Sequence, residues 1–340
     1  MHDLLPSGRG PRLVLVALAS VLATALVVLL IGEAADFADL AHRLRHAAAG
    51  WLVLAAAGEA IAYAGYLAGY RAVAGLSGGP QLPAPVALRV VALAFGAFSL
   101  ATAVGGLSVD FWALREAGEP PARASARVIA FETLRWAVLA VATCLAAVAA
   151  LTGVTRWVGV IVPVAWLVVV PACFAGGLYV SAPNRRERLA RSGGGRIRRA
   201  FAVAVGALVL LRTLVRTGAA ARRRAFGGTL VYWVGDALCA WAALRAFGAQ
   251  VGVGPLLLGY ATGYVSEAVP LPAGGAGGVD AAMTGGFVLA GAPLGAALLG
   301  AITFRIFTFW LPALVAVPSM LGAPALRDRL REIAEAREPG

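Results

Sequence analysis

The tract PLPAGGAGGVD, from Pro270 to Asp280, places two prolines, four glycines and a carboxylate inside a stretch of otherwise apolar residues. Proline and glycine interrupt the hydrogen-bond ladder of a helix. In a hydrocarbon environment, each backbone N–H or C=O group freed in this way costs several kcal/mol unless protein or trapped water satisfies it. A broken helix that carries an acid inside a membrane therefore predicts a binding site.

The residues around this tract have the composition of an integral membrane protein. Of the 340 residues, 60% are hydrophobic and 14% are charged, and the mean hydropathy is +0.82, whereas soluble domains average about 45–50% apolar and 25% charged residues. We predict an all-α, polytopic fold of about eight transmembrane helices, in which the broken segments either cross the membrane or turn back. The apolar runs lie at 13–32, 51–74, 86–104, 128–152, 157–180, 225–247, 255–272 and 295–322.

The two halves of the chain resemble each other at an offset of 170 residues. The matched pairs include Gly65 and Gly235, Gly105 and Gly275, Asp110 and Asp280, and Arg135 and Arg305. Weak internal symmetry with breaks at matching positions is typical of transporters whose binding site lies between two repeats. We therefore predict a first membrane half at 1–153, a second at 154–322 and a short polar C-terminal tail at 323–340.

The distribution of basic residues predicts the orientation of one segment. All 29 basic residues are arginines, and twelve of them lie between Arg185 and Arg224. A basic run can mark a nucleic-acid patch, but arginine-rich loops of membrane proteins are ordinarily cytoplasmic and contact anionic headgroups. We predict that segment 183–224 is cytoplasmic, that the protein lies in the cytoplasmic (inner) membrane of the cell, and that it binds no nucleic acid.

Ionisable residues within or beside the apolar segments are the candidate binding residues, because charges are costly in hydrocarbon and mark functional sites there. The leading candidates are Asp280 and Arg305, then Asp110 and Arg135, with Glu59, Glu132, Asp236 and Glu267 as secondary candidates. The predicted site also contains Pro272, Gly274, Gly275, Gly277 and Gly278. The glycines would let backbone amides approach a ligand closely. The alternative is that Asp280 and Arg305 only partner each other.

Catalytic and metal-binding patterns are missing from the sequence. It contains no H-E-x-x-H, G-x-S-x-G or P-loop motif, which weakens an enzymatic interpretation without excluding it. His42 and His46 stand four residues apart near Asp39, but an interfacial helix explains their polarity without a metal. We predict no cofactor, no metal and no catalytic residue.

The stretch from Val269 to Leu321 resembles the signature region of the lysylphosphatidylglycerol synthase transmembrane, or flippase-like, family. That family typically shows a Pro-Leu-Pro-Gly-Gly-x-Gly-x-x-Glu run, followed by a helix in which an arginine precedes an aromatic residue and a proline. The corresponding residues here are Pro270, Leu271, Pro272, Gly274, Gly275, Gly277, Asp280, Arg305, Trp310 and Pro312. Two departures from the pattern are Asp280 in place of the glutamate and the additional Ala273.

This resemblance implies a membrane protein that moves, or helps to move, a polar lipid between leaflets. The full synthases also carry a soluble aminoacyltransferase domain, whereas this chain ends 18 residues beyond its last predicted helix. We therefore expect a stand-alone membrane module, with any partner enzyme on a separate chain.

The lipid expected from this resemblance is a phospholipid or an aminoacylated phospholipid. Arg305 and Arg135 would bind its phosphate, and Asp280 and Asp110 would hold a cationic amine. Two alternatives stay open. One is an accessory or catalytic component of cell-envelope lipid or glycan synthesis, and the other is a structural membrane scaffold.

Overall fold

The computed structural model describes residues 10–101, 103–180, 195–216, 218–268 and 275–337. Within these ranges the chain forms helices and no strand, which confirms the predicted all-α class. The helices are α1 (Gly10–Ala35), α2 (Phe37–Arg45), α3 (Ala49–Ala74), α4 (Ala84–Ala101), α5 (Ala103–Glu116), α6 (Pro121–Leu151), α7 (Ile161–Val180), α8 (Gly195–Arg216), α9 (Ala219–Ala246), α10 (Val253–Tyr264), α11 (Gly278–Leu289), α12 (Leu294–Arg305), α13 (Leu311–Leu321) and α14 (Ala323–Glu335). A π-helical turn, Ile306–Trp310, joins α12 to α13.

Several of these helices have the length and composition of membrane spans, which confirms a polytopic membrane protein. The five candidate spans among the described residues are Leu18–Ala35, Ala49–Ala74, Pro121–Leu151, Ile161–Tyr179 and Leu294–Met320. The number differs from the predicted eight because three apolar runs do not form long, uniformly apolar helices. The run at 225–247 lies in α9, which begins with arginines at 222–224. The runs at 86–104 and 255–272 lie in the shorter helices α4 and α10.

The short helices pair into two hairpins, α4 with α5 and α10 with α11. With 12 residues, α10 is about 18 Å long, which is less than the roughly 30 Å of a hydrocarbon core. It runs antiparallel to α11, since Gly259 lies against Gly286 and Gly263 against Met283. A Cβ atom at Gly259 would collide with the backbone of Gly286. Each hairpin therefore consists of two short, closely packed helices.

The centre of the fold is the antiparallel pair α3 and α9. Gly58 lies against Gly235, and Gly65 lies against Gly228, so that the two backbones touch. These contacts are related by the offset of 170 residues, because residue 58 corresponds to 228 and residue 65 to 235. The hydrophobic effect does not drive helices together in lipid. Membrane helices associate instead through close packing, which small residues at the interface allow. The start of α3 meets the end of α9, where the amide of Ala48 donates to the carbonyl of Ala246 at 3.0 Å.

This antiparallel pairing directs the two hairpins into the bundle from opposite ends. The first hairpin follows the end of α3, and the second follows the end of α9, which lies beside the start of α3. The helices that follow each hairpin also pack on the other hairpin. The helix α6, which follows the first hairpin, packs on α10 of the second, and α13, which follows the second hairpin, packs on α4 of the first. This is the arrangement of inverted-topology repeats. The boundaries of the two halves at residues 153 and 322 stay a prediction.

The predicted polar tail at 323–340 contains the amphipathic helix α14. Its Leu326 and Leu330 are buried, and it packs on α4 and α5. Just beyond it, Arg337 donates to the carbonyl oxygens of Gly78 at 2.7 Å and Ala117 at 3.0 Å. The C-terminal helix is thus attached to the end of the bundle where α3 finishes.

Candidate functional site

A buried ion pair joins the start of α11 to the end of α12. Arg305 Nε donates to Asp280 Oδ1 at 3.0 Å, and both side chains are almost completely buried. The other carboxylate oxygen, Oδ2, accepts the hydroxyl of Thr24 on α1 at 2.8 Å and the amide of Gly277 at 2.9 Å. Because both oxygens have donors, Asp280 connects three helices and caps the start of α11.

The guanidinium of Arg305 is enclosed on further sides. Its Nη1 lies 3.4 Å from Glu267 Oε1, and its Cζ lies 4.2 Å from the centre of the Phe309 ring in the π-helical turn. The structure thus brings Asp280 and Arg305 into direct contact. This contact agrees with the alternative that the two residues only partner each other. A role of these two residues in binding a ligand stays a prediction.

The glycines before α11 serve the backbone conformation and helix packing. Gly275 and Gly277 have positive φ angles of 76° and 79°, which side chains with a Cβ atom rarely adopt. Gly277 also lies against α1, where an added Cβ would come within 3.0 Å of the carbonyl oxygen of Ala23. Gly278 begins α11. Pro272 and Gly274 lie outside the described residues, so their predicted contacts with a ligand stay open.

Arg135, the counterpart of Arg305, has different surroundings in α6. Its Nη1 donates to Glu132 Oε1 at 2.7 Å, and its Nη2 donates to the hydroxyl of Tyr232 at 3.1 Å. The guanidinium also lies over three aromatic rings, with Cζ 5.0 Å from the centre of Tyr66, 4.7 Å from Tyr232 and 5.7 Å from Trp233. Such rings stabilise a cation through their negative faces. Nε of Arg135 is buried without a hydrogen-bond acceptor among the described residues.

Asp110 does not repeat the contact that Asp280 makes. It is buried in α5, and within the described ranges its Oδ1 has no hydrogen-bond donor. No ion pair between Asp110 and Arg135 occurs in this part of the chain, because Arg135 is turned towards Glu132 and Tyr232. The two halves therefore share residue types at these positions but not their contacts.

A cavity of about 110 Å³ lies beside Arg135 between the two hairpins. Its titratable lining consists of one arginine, four carboxylic acids and three tyrosines, namely Arg135, Glu59, Glu132, Asp236, Glu267, Tyr66, Tyr232 and Tyr264. The first hairpin contributes Phe98 and Gly106 near its tip, and Thr308 comes from the π-helical turn. All four secondary candidates thus meet in one cavity. The leading candidate Arg305 touches this group through Glu267, and Asp280 lies behind it.

An apolar groove of about 280 Å³ lies next to this cavity. It is lined by Ala60, Tyr63, Leu88, Phe307 and Leu311, and it shares Glu59 with the polar cavity. Leu88 and Leu311 are each about half exposed, at 51% and 48%. In a membrane these apolar side chains face lipid. The polar cavity and the lipid-facing groove are therefore neighbours that have one carboxylic acid, Glu59, in common.

A family model described as the lysylphosphatidylglycerol synthase TM region matches residues 14–316, which is most of the chain. The chain belongs to the lysylphosphatidylglycerol synthase transmembrane family. None of the curated proteins matches it. Membership in this family makes the protein a membrane-embedded module related to lipid synthesis or lipid flipping, and interaction with lipids is in keeping with that relation.

The lysylphosphatidylglycerol synthase transmembrane signature includes the Asp280–Arg305 pair, but the cavity depends on residues outside it. Tyr232, Tyr260 and Tyr264 were not among the predicted site residues, and Tyr260 donates a hydrogen bond to Asp236. One signal in the sequence was available. Glu59 is followed by tyrosines at positions 63, 66 and 70, which places four polar side chains on one face of α3 at helical spacing.

Proposed function

We propose that the protein moves a polar phospholipid between the leaflets of the cell membrane. The observation that carries this proposal is that a polar cavity and a lipid-facing apolar groove lie side by side, with Glu59 in the lining of both. A lipid has the same division, with a charged headgroup and apolar acyl chains. The headgroup would occupy the cavity while the chains stay in the groove and the surrounding lipid.

The charges around the cavity support a headgroup with both an anionic and a cationic group. Arg135 retains an unpaired Nε, and its planar fork suits the oxygens of a phosphate. Glu59 Oε2 has no hydrogen-bond donor among the described residues, and Asp236 lies beside it. Carboxylates at these positions favour an amine. The chemical class is therefore an amine-bearing phospholipid, of which an aminoacylated phospholipid is one member.

The Asp280–Arg305 pair supports this proposal as a fixed structure behind Glu267, which lines the cavity. It connects α1, α11 and α12 behind Glu267. In transporters built from inverted repeats, broken helices from opposite sides meet at the binding site near the middle of the membrane. The two hairpins here have that relation to the cavity. We further propose that segment 183–224 faces the cytoplasm, since it is rich in arginine.

The test is reconstitution of the purified protein into liposomes of phosphatidylglycerol and phosphatidylethanolamine. An impermeant amine-reactive reagent measures the appearance of phosphatidylethanolamine in the outer leaflet. We expect protein-dependent transfer, which Arg135→Gln slows by about tenfold or more, as the loss of a charge-assisted hydrogen bond predicts. Arg329→Gln makes the same change at an exposed arginine of α14 and should leave the rate unchanged.

Equal transfer in protein-free and protein-containing vesicles would contradict the proposal. Transfer that is identical in the wild-type and Arg135→Gln proteins would place the headgroup elsewhere. Consumption of a donor lipid without transfer between leaflets would instead support a role in lipid or glycan synthesis.

A further inference from the structure

The charges around the cavity do not balance within the described residues. Arg135 is paired with Glu132 at 2.7 Å, whereas Arg305 is shared by Asp280 at 3.0 Å and Glu267 at 3.4 Å. Two further carboxylic acids, Glu59 and Asp236, line the same cavity, and no ion pair with a described arginine involves either of them. Unpaired carboxylates are strongly disfavoured at such depth. This pair therefore requires a cation, which is either a proton or a charged group of a ligand.

Glu59 and Asp236 face each other across the central helix pair. Their neighbours Gly58 and Gly235 bring α3 and α9 into backbone contact, and both carboxylic acids line the same cavity. Two buried carboxylic acids in one small cavity do not both ionise, because like charges repel strongly where water is excluded, so at least one of them keeps its proton. Asp236 also accepts a hydrogen bond from Tyr260.

One carboxylate oxygen of the pair lacks a hydrogen-bond partner within the described residues. Glu59 is only 6% exposed, and its Oε2 is buried without a hydrogen-bond partner among the described residues. Titratable or charged groups also lie around the pair on neighbouring helices. These groups are Tyr63 on α3, Arg135 on α6, Tyr232 and Cys239 on α9, Tyr260 on α10 and Glu267 just beyond α10. Arg135 is the single cation in this group, and it is engaged by Glu132.

We propose that Glu59 and Asp236 form a proton-binding site that couples lipid movement to a proton gradient. This proposal rests on the proposed function and names its energy source. A proton occupies the pair while the cavity lacks a cationic group. When the amine of a headgroup binds at Glu59 Oε2, the proton leaves to the water of the cavity, and a proton returns after the amine departs. Each step exchanges one positive charge for another, so the buried carboxyl pair never carries two uncompensated negative charges.

A metal ion fits the pair less well than a proton. No group of three or more histidine, cysteine, aspartate or glutamate side chains in the described part of the chain is arranged to hold a metal. A proton requires only the two carboxylic acids that line the cavity. Sodium is therefore the competing cation in the experiment below.

The first measurement detects the proton without any lipid transfer. Infrared spectroscopy of the full-length protein in detergent at neutral pH should show the carbonyl stretch of a protonated carboxyl group. Glu59→Gln should lower the intensity of that band, while any contribution from the buried Asp110 remains. Glu59→Asp, which retains a carboxyl group, should keep the intensity at a shifted position. Glu332→Gln makes the same change on the exposed face of α14 and should leave the band intact. An unchanged band in Glu59→Gln protein that elutes as a single folded species would overturn the proposal.

The second measurement links the proton to transport. In liposomes of phosphatidylglycerol and phosphatidylethanolamine, an imposed pH difference should change the initial rate of phosphatidylethanolamine transfer several-fold. Glu59→Gln should abolish this response, whereas Glu332→Gln should retain it. Transfer that ignores the pH difference, or that follows a sodium gradient instead, overturns the proton coupling and leaves the proposed function standing. If no lipid moves under any condition, the proposed function fails, and the infrared band alone decides whether the pair binds a proton.

Discussion

Arg135 and Arg305 occupy matching positions in the sequence but have different contacts in the structure. Arg305 has two carboxylates and an aromatic ring around it, and Asp280 has a donor for each oxygen. Arg135 has one carboxylate and keeps an Nε that no described acceptor satisfies. A fully satisfied buried pair stabilises a fixed arrangement, whereas an incompletely satisfied arginine at a cavity is available to a ligand.

Removing the carboxylate of the fixed pair should therefore affect stability. We expect Asp280→Asn to lower the free energy of unfolding by about 3–5 kcal/mol, because the buried charge of Arg305 loses its nearest counterion. Thermal unfolding in detergent checks this result. Asp328→Asn changes an exposed aspartate of α14 and should have little effect. Equal unfolding temperatures for Asp280→Asn and Asp328→Asn would show that the pair contributes little.

Tyr232 positions Arg135 through its hydroxyl group, which accepts from Nη2 at 3.1 Å. Tyr232→Phe keeps the aromatic ring over the guanidinium but removes this hydrogen bond. We expect a decrease in lipid transfer of about three- to tenfold, corresponding to the usual 0.5–1.5 kcal/mol of one hydrogen bond, with a small change in unfolding temperature. Tyr70→Phe removes a buried hydroxyl that does not line the cavity and should leave transfer unchanged. A loss of stability as large as the loss of transfer would assign Tyr232 a structural role.

At the scale of elements, the glycines of α3 and α9 decide how closely the two central helices approach. Glu59 and Asp236 line one cavity because they lie next to Gly58 and Gly235, where the backbones touch. The π-helical turn Ile306–Trp310 has a similar positional effect, since it supplies one wall residue to the cavity and one to the groove. Such turns are often found at functional sites.

Two adjacent glycines in α9 allow a matched test of this packing. A Cβ atom at Gly228 would lie 2.5 Å from the amide nitrogen of Gly69 and 2.9 Å from the carbonyl oxygen of Gly65, whereas Gly227 has nothing within 4 Å. We expect Gly228→Ala to destabilise the protein by about 1–3 kcal/mol through overpacking. Gly227→Ala should be neutral or slightly stabilising because alanine favours helices. Thermal unfolding measures both, and similar effects of the two substitutions would contradict a close approach of α3 and α9.

At the scale of the whole molecule, helix packing determines which segments lie at the same end of the bundle. The end of α3 lies beside the start of α9, because the two helices are antiparallel. The C-terminal helix α14 is attached to Gly78, just beyond the end of α3. The arginines that begin α9 and the C-terminal helix therefore lie at one end of the bundle, and the loop after the spanning helix α6 lies at the other.

Cysteine labelling tests this arrangement in a protein whose three natural cysteines are replaced by alanine. Ala220→Cys, at the start of α9, and Glu335→Cys, in α14, should react with a membrane-impermeant maleimide only after the cytoplasmic side is exposed. Val154→Cys, which is 78% exposed after α6, should react in intact cells. Labelling of Ala220→Cys and Glu335→Cys from opposite sides would contradict the packing of α14. Labelling of both from the outside would reverse the predicted orientation.

Rare ionisable residues in apolar segments could be identified from the sequence, whereas contacts between distant helices could not. Asp280 and Arg305 were predicted as possible partners from their rarity in apolar segments, and the structure shows them in contact. The offset of 170 residues matched Asp110 and Arg135 to that pair, but a one-dimensional match does not show that Arg135 turns towards Glu132 and Tyr232. The secondary candidates Glu59 and Asp236 lie 177 positions apart in sequence, so their proximity required the contact between α3 and α9.

Composition, apolar run length and the broken tract at 270–280 determined by themselves that this is an all-helical membrane protein with interrupted helices, because hydrocarbon limits the backbone to internally bonded structures. The internal offset indicated which residues correspond. Only the tertiary structure decided which of them meet, since contacts between helices depend on where glycine permits close approach. That is why the most suggestive acid, Asp280, lies in a closed ion pair, and the cavity is lined by the acids that the sequence ranked second.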